Sequence, residues 1–131
     1  MKKQLLITLC LSSLFAHAIA EDIAYQDKNL APVAVSYAPT PLLAVFNLDP
    51  IHEKAELSSL NLTQSINAVE NPTEAIITLT ESNLPDDAIE ATQNTYFINK
   101  SEQGWAVMGV EHAYKCRRGE HTMEFINTKC P

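Results

Sequence analysis

The clearest patterning of apolar and polar positions lies in the C-terminal half of the chain. Glu74 to Thr80, rich in Ile, Thr and Leu, predicts a β-strand near 74–80. Ser82-Asn83-Leu84-Pro85-Asp86-Asp87 is dense in turn-forming residues and predicts a loop. Two apolar-rich segments follow, 88–99 with Tyr96-Phe97-Ile98 and 105–116, separated by Lys100-Ser101-Glu102-Gln103-Gly104. A short polar break containing Gly between two such segments is a β-hairpin signature. In the second arm Ala106, Met108, Val110, His112, Tyr114 and Cys116 fall on one face, with Glu111 and Lys115 on the other. That alternation specifies register and points Cys116 inward. Trp105 and Val107 interrupt the polar face, so something is expected to cover that end of the sheet. The tail turns at Arg118-Gly119 and returns through Met123-Glu124-Phe125-Ile126 as a strand near 122–127.

Upstream the pattern is weaker. Asp49-Pro50 is a helix-start signal, Asp as N-cap and Pro at the first helical position, with Glu53 in the opening turn. It predicts a short helix near 50–60, although Leu60-Asn61-Leu62-Thr63 alternates and is also readable as the start of a strand. Asn67 to Thr73, with Asn71-Pro72, predicts a turn. Residues 21–48 carry Pro32, Pro39 and Pro41 and no clean period. Proline biases its neighbours toward extended backbone and withholds a donor. The stretch reads as an extended, largely disordered leader, with an edge strand at 42–47 as the alternative. The fold class expected is therefore α+β, a small antiparallel sheet with one short helix.

The first 20 residues follow a different logic. Met1-Lys2-Lys3 is a short positive start, Leu5 through Phe15 is apolar, and Ala18-Ile19-Ala20 places small residues where a signal peptidase reads. This is the pattern of a secretory signal peptide cut after Ala20. The uncharged run from Gln4 to Ala20 is short for a membrane span, and no integral membrane segment is expected after cleavage. Cys10 is preceded by Leu9 rather than a small residue and sits inside the apolar run, which argues against a lipoprotein signal. The expected organisation is a signal peptide at 1–20, a leader at 21–48 and one small domain at 49–131.

Charge narrows the partners. Cleavage removes Lys2 and Lys3 and no acid, leaving seven bases against 16 acids, net −9. A nucleic-acid partner is not expected, since such binding depends on cationic surface. The acids are concentrated before the hairpin, where residues 21–99 carry 12 acids and two lysines. Solubility explains such a surface, and recognition of a cationic partner is the functional alternative.

Cys116 and Cys130 remain after cleavage, an even count in an oxidising compartment, and a disulfide is the expectation. It would close a loop of about 15 residues and contribute roughly 3 kcal/mol. The competing chemistry is a metal site, because His112, Cys116, His121 and Cys130 are ligand types that zinc prefers. Their gaps of four, five and nine lack the close pairs that tight turns present. On a strand, His112 and Cys116 would stand about 13 Å apart at ~3.3 Å per residue. A metal carrier built on His112 and His121, with His52, is the alternative; no cofactor is otherwise expected. Arg117 and Arg118 would lower a thiol's pKa at Cys116, but the second cysteine consumes that thiol. Lys115, Arg117 and Arg118 form a basic cluster that is a candidate contact for a phosphate or carboxylate.

No G-x-S-x-G or H-E-x-x-H motif is present. Asp86-Asp87 and Glu120-His121 are the nearest approach to catalytic pairs, and adjacent strand residues face opposite ways. Leu84-Pro85-Asp86-Asp87-Ala88-Ile89, Gly104-Trp105, Tyr114-Lys115-Cys116, Arg118-Gly119 and Lys129-Cys130-Pro131 resemble a pattern in small exported proteins of Gram-negative bacteria whose function is unassigned. The resemblance runs from about residue 76 to 131 and implies a disulfide-closed β module; it supplies no functional residues. The function expected is that of a small non-enzymatic binding or accessory protein, periplasmic or secreted, with another envelope protein as partner. A metal-binding protein and a small envelope hydrolase are the alternatives.

Overall fold

The structure, a computed structural model, describes residues 30, 33–51 and 59–131. Residues 1–20, expected to be a signal peptide, and most of the expected leader before Val33 lie outside the described residues, as do positions 52–58 of the helix expected near 50–60.

Four strands form one antiparallel meander in the order β1-β2-β3-β4. They are β1 (Ser59–Ile66), β2 (Glu74–Ser82), β3 (Ile89–Ser101) and β4 (Gly104–Cys116). Three of them match the expected strands. The fourth, β1, takes the alternating reading of Leu60 to Thr63, so the expected helix does not reach 59–60. The turn after it is held by Asn67, whose Oδ1 accepts from the backbone N–H of Thr73 and Glu74, both at 3.1 Å. Asn71 sits there at φ 50°, a left-handed conformation that Asn tolerates.

One helix, α1 (Pro41–Leu48), lies within the stretch read as leader. This corrects both the extended reading and the edge-strand alternative at 42–47. The cause is a start signal of the kind read at Asp49-Pro50. The Thr40 hydroxyl caps the helix, accepting from Leu43 N–H at 3.3 Å, and Pro41 occupies the first turn, where its missing donor costs nothing. Ala44 and Val45 then face inward.

The core lies on one side of the sheet. Ala75, Ile77 and Leu79 of β2, Tyr96 and Ile98 of β3, and Trp105, Val107 and Val110 of β4 pack beneath Ala38, Ala44, Val45 and Ile51. Trp105 and Val107 are thus covered, as expected, but the face assignment along β4 needs correction. Ile98 pairs with Val107 and Phe97 with Gly109, so Met108 is an extra residue, a β-bulge. Before it the odd positions of β4 face the core; after it the even positions do. Met108 itself is turned outward and exposed.

The outer edge of β4 is closed at both ends. Ala38 and Trp105 exchange backbone hydrogen bonds at 2.8 Å, and Tyr114 and Ile126 exchange a second pair at 2.7 and 2.9 Å. Gly104 makes the first contact possible: a Cβ there would lie 2.7 Å from the Ala38 carbonyl oxygen, and its φ of +123° suits glycine alone. The strand expected near 122–127 is reduced to the single bridge at Ile126. The Cys116–Cys130 disulfide joins residues only 14 apart, with Gly119 turning at φ +91°, and a loop that tight leaves no length for a paired strand.

Reducing this disulfide should lower the unfolding free energy by about 3 kcal/mol. Urea denaturation with and without reductant measures it. Amide exchange should accelerate across residues 117–131 while β2 and β3 remain protected.

Candidate functional site

Polar side chains that face an apolar core are the first place to look for function, because each must be hydrogen-bonded to be tolerated there. On the covered face of the sheet the inward positions of β3 run from Ile98 through Tyr96 to Asn94. Across the hairpin, Asn94 stands opposite His112 and Tyr96 opposite Val110. Above them the chain leaves α1 at Asp49, whose N–H is held by the Val45 carbonyl at 2.8 Å. These elements bring Asp49, Tyr96, Asn94 and His112 into one hydrogen-bonded line.

The direction of each bond in that line is fixed. Tyr96 donates its hydroxyl to Asp49 Oδ2 at 2.5 Å, and Asn94 Nδ2 donates to Tyr96 Oη at 3.4 Å. The Asn94 amide oxygen is then left to face His112 Nδ1 at 2.8 Å, and an amide oxygen only accepts. The His112 ring therefore carries a proton on Nδ1, and in its neutral form keeps Nε2 as an acceptor. Tyr96 is 2% exposed, and burial, followed by the Asp49 carboxylate that accepts its proton, pushes the phenol well above its ordinary range.

The line borders a cavity of about 290 Å³ that is otherwise apolar, walled by Val33, Ala34, Leu48 and Val110. His112 also borders a wider polar groove of about 690 Å³ on the opposite side, between Thr95, Glu111 and the tail at Phe125. It stands where the two meet.

Of the basic cluster read from sequence, Arg117 is committed to the fold. Arg117 donates to the carbonyl oxygens of Asp86 at 3.0 Å and Leu84 at 2.9 Å, and pairs with Glu90 at 2.9 Å. Its guanidinium gathers the β2–β3 loop. Lys115 is half-buried on β4 opposite Ala91, and Arg118 is exposed in the turn. Asp86 belongs to the same loop: its Oδ1 accepts from Ala88 and Ile89 N–H at 2.7 Å, which holds its carboxyl below the usual range.

The metal alternative loses its sulfur ligands to the disulfide. His112 bonds Asn94, whereas His121 pairs with Glu124 at 2.9 Å in the tail. Among the described residues no group of three or more His, Cys, Asp or Glu stands together; His52 lies outside them.

Asp49, Tyr96 and Asn94 were not recognisable as a site in the sequence, although Asn94 and Tyr96 share a face as i and i+2 residues. Without the bulge, the register set by Ser101 and Gly104 would place Glu111, not His112, opposite Asn94. No protein family, curated protein or solved structure matches the chain.

Substituting Tyr96→Phe should cost about 1–3 kcal/mol, since Asp49 loses its buried donor. It should also change the alkaline limb of stability. A phenol whose folded pKa is raised contributes stability that is fully present below the unfolded value, about 10, and is lost as pH rises further. The native protein should weaken above about pH 10 through this group, and the Phe variant should lack that component in urea titrations across alkaline pH.

Proposed function

We propose that this is an exported, non-enzymatic binding protein of the periplasm or extracellular space, and that the cavity beside the Asp49–Tyr96–Asn94–His112 line is its ligand site. The observation carrying this is the accounting of hydrogen bonds. Tyr96 spends its proton on Asp49, and a neutral His112 spends its Nδ1 proton on Asn94. What His112 keeps for a ligand is an acceptor, Nε2, at the end of a line that begins at the Asp49 carboxylate. The matching head group is a donor-rich cation, a primary ammonium, and the walls of Val33, Leu48 and Val110 suit a short apolar body. The chain's net charge of −7 favours the approach of such a cation.

Export is supported by the disulfide, a bond that persists in oxidising compartments. No described helix is long and apolar enough to cross a membrane.

A primary ammonium is carried by a free small amine or by a lysine side chain of another envelope protein. NMR titration with n-butylamine and with Nα-acetyl-lysine amide tests both. Saturable shifts confined to Val33, Asn94, Tyr96, Val110 and His112 are expected, with at least a tenfold loss of affinity in His112→Ala. Preference for butylamine assigns a free amine, and preference for the lysine derivative assigns a protein partner. No saturable shift with either, up to tens of millimolar, sinks the assignment. Export is tested separately by intact mass, which should begin at Glu21.

A further inference from the structure

The two edges of the sheet are treated differently. β4 is closed at Trp105 and Tyr114, but among the described residues nothing pairs with the outer edge of β1. We propose that a second copy of this chain pairs there, antiparallel, joining two four-stranded sheets across a twofold axis.

The free edge can be read residue by residue. Asn67 N–H donates to the Glu74 carbonyl across the β1–β2 turn, at 3.1 Å, so the odd residues of β1 turn their backbone groups toward β2. In a strand, successive residues point these groups to opposite sides. Leu60, Leu62, Gln64 and Ile66 therefore direct N–H and C=O outward, away from the sheet.

Native edges are usually guarded by a charge, a proline or a bulge. β1, Ser-Leu-Asn-Leu-Thr-Gln-Ser-Ile, contains no ionisable residue and no proline, and it pairs with β2 in unbroken register. The same outward-pointing residues put their side chains on the face that carries the core. Leu62 is 37% exposed and Ile66 45%. Among the described residues helix α1 packs chiefly against β2, β3 and β4, and Leu62 and Ile66 on this margin of the apolar face stay exposed.

A second copy fits these constraints because the strand is self-complementary and carries no ionisable residue, so pairing two copies puts no like charges opposite each other along the seam although the chain as a whole is acidic. A twofold axis perpendicular to the sheet preserves faces, so residues must pair even with even and odd with odd. With the axis at Thr63, Leu60 pairs with Ile66 of the other copy and Leu62 with Gln64, each a hydrogen-bonded pair built from the outward backbone groups. Thr63 then meets its own equivalent on the open face, where Thr–Thr pairs are favourable. The contact is isologous and closes at two copies. One strand per copy places the interface at the small end, below about 1,200 Å², so the dimer should be weak and concentration-dependent.

Sedimentation equilibrium of the exported chain, up to millimolar concentration, should show the mass doubling. Thr63→Lys places like charges opposite each other at the axis while changing only an exposed side chain, and should weaken association at least tenfold; Thr63→Glu should do the same. Mixing the two variants should restore the dimer, a rescue that neither misfolding nor a different interface reproduces. Wild-type protein that stays monomeric at millimolar concentration, or variants that dimerise as well as wild type, would overturn the proposal. So would failure of the mixture to recover when both variants retain native circular dichroism.

Discussion

The arrangement of the covered face depends on one extra residue in β4. Side chains alternate strictly along a strand, so an unbroken β4 would send either Trp105 and Val107 or Val110 and His112 to the open side of the sheet. The bulge at Met108 resets the alternation and lets both pairs face inward. Trp105 and Val107 then join the core beneath Ala38 and α1, and His112 comes opposite Asn94. The apolar core and the polar line are thus consequences of the same local irregularity. The residue displaced to achieve this is a methionine, whose side chain tolerates the exposed position that the bulge assigns it.

The polar line is compatible with the core because its bonds run in one direction. Each member donates toward Asp49, so no buried donor or acceptor within it competes with another. Asp49 is in turn positioned by the helix that precedes it. Burial of Ala44 and Val45 docks α1, and the Val45 carbonyl fixes the Asp49 backbone directly over Tyr96. Apolar packing of one short helix therefore sets the charge at one end of the line, and the β4 bulge sets the imidazole at the other. Such a network specifies geometry more than it adds stability, since buried Tyr96 gives up its hydration to join it while His112 at the far end stays exposed.

Much of the sheet was legible from the chain. The runs at 74–80, 88–99 and 105–116 became strands because their apolar content and the intervening turn chemistry agree. The α1 start was equally present, in Thr40-Pro41, but three prolines nearby argue for extended backbone, and only packing of Ala44 and Val45 decides between the two. The expected strand at 122–127 failed for a different reason. Met123 to Ile126 has the apolar residues of a strand, but the disulfide that closes the loop at Cys130 restricts the length over which the tail can follow β4. A covalent constraint read correctly on its own can cancel a propensity read correctly on its own.

The site was hidden by register. Asn94, Tyr96 and His112 are unremarkable singly, and the hairpin's own turn predicts a pairing that keeps Asn94 and His112 one residue out of step. A bulge carries little local sequence signal here: Met108-Gly109 offers a glycine, and glycine in a strand has several meanings. The disambiguating clue is the apolar pattern itself. Trp105 and Val107 at odd positions and Val110 at an even one cannot share a face unless one residue between them is extra. The bulge that this conflict demands is the same one that moves His112 opposite Asn94 and so assembles the polar line.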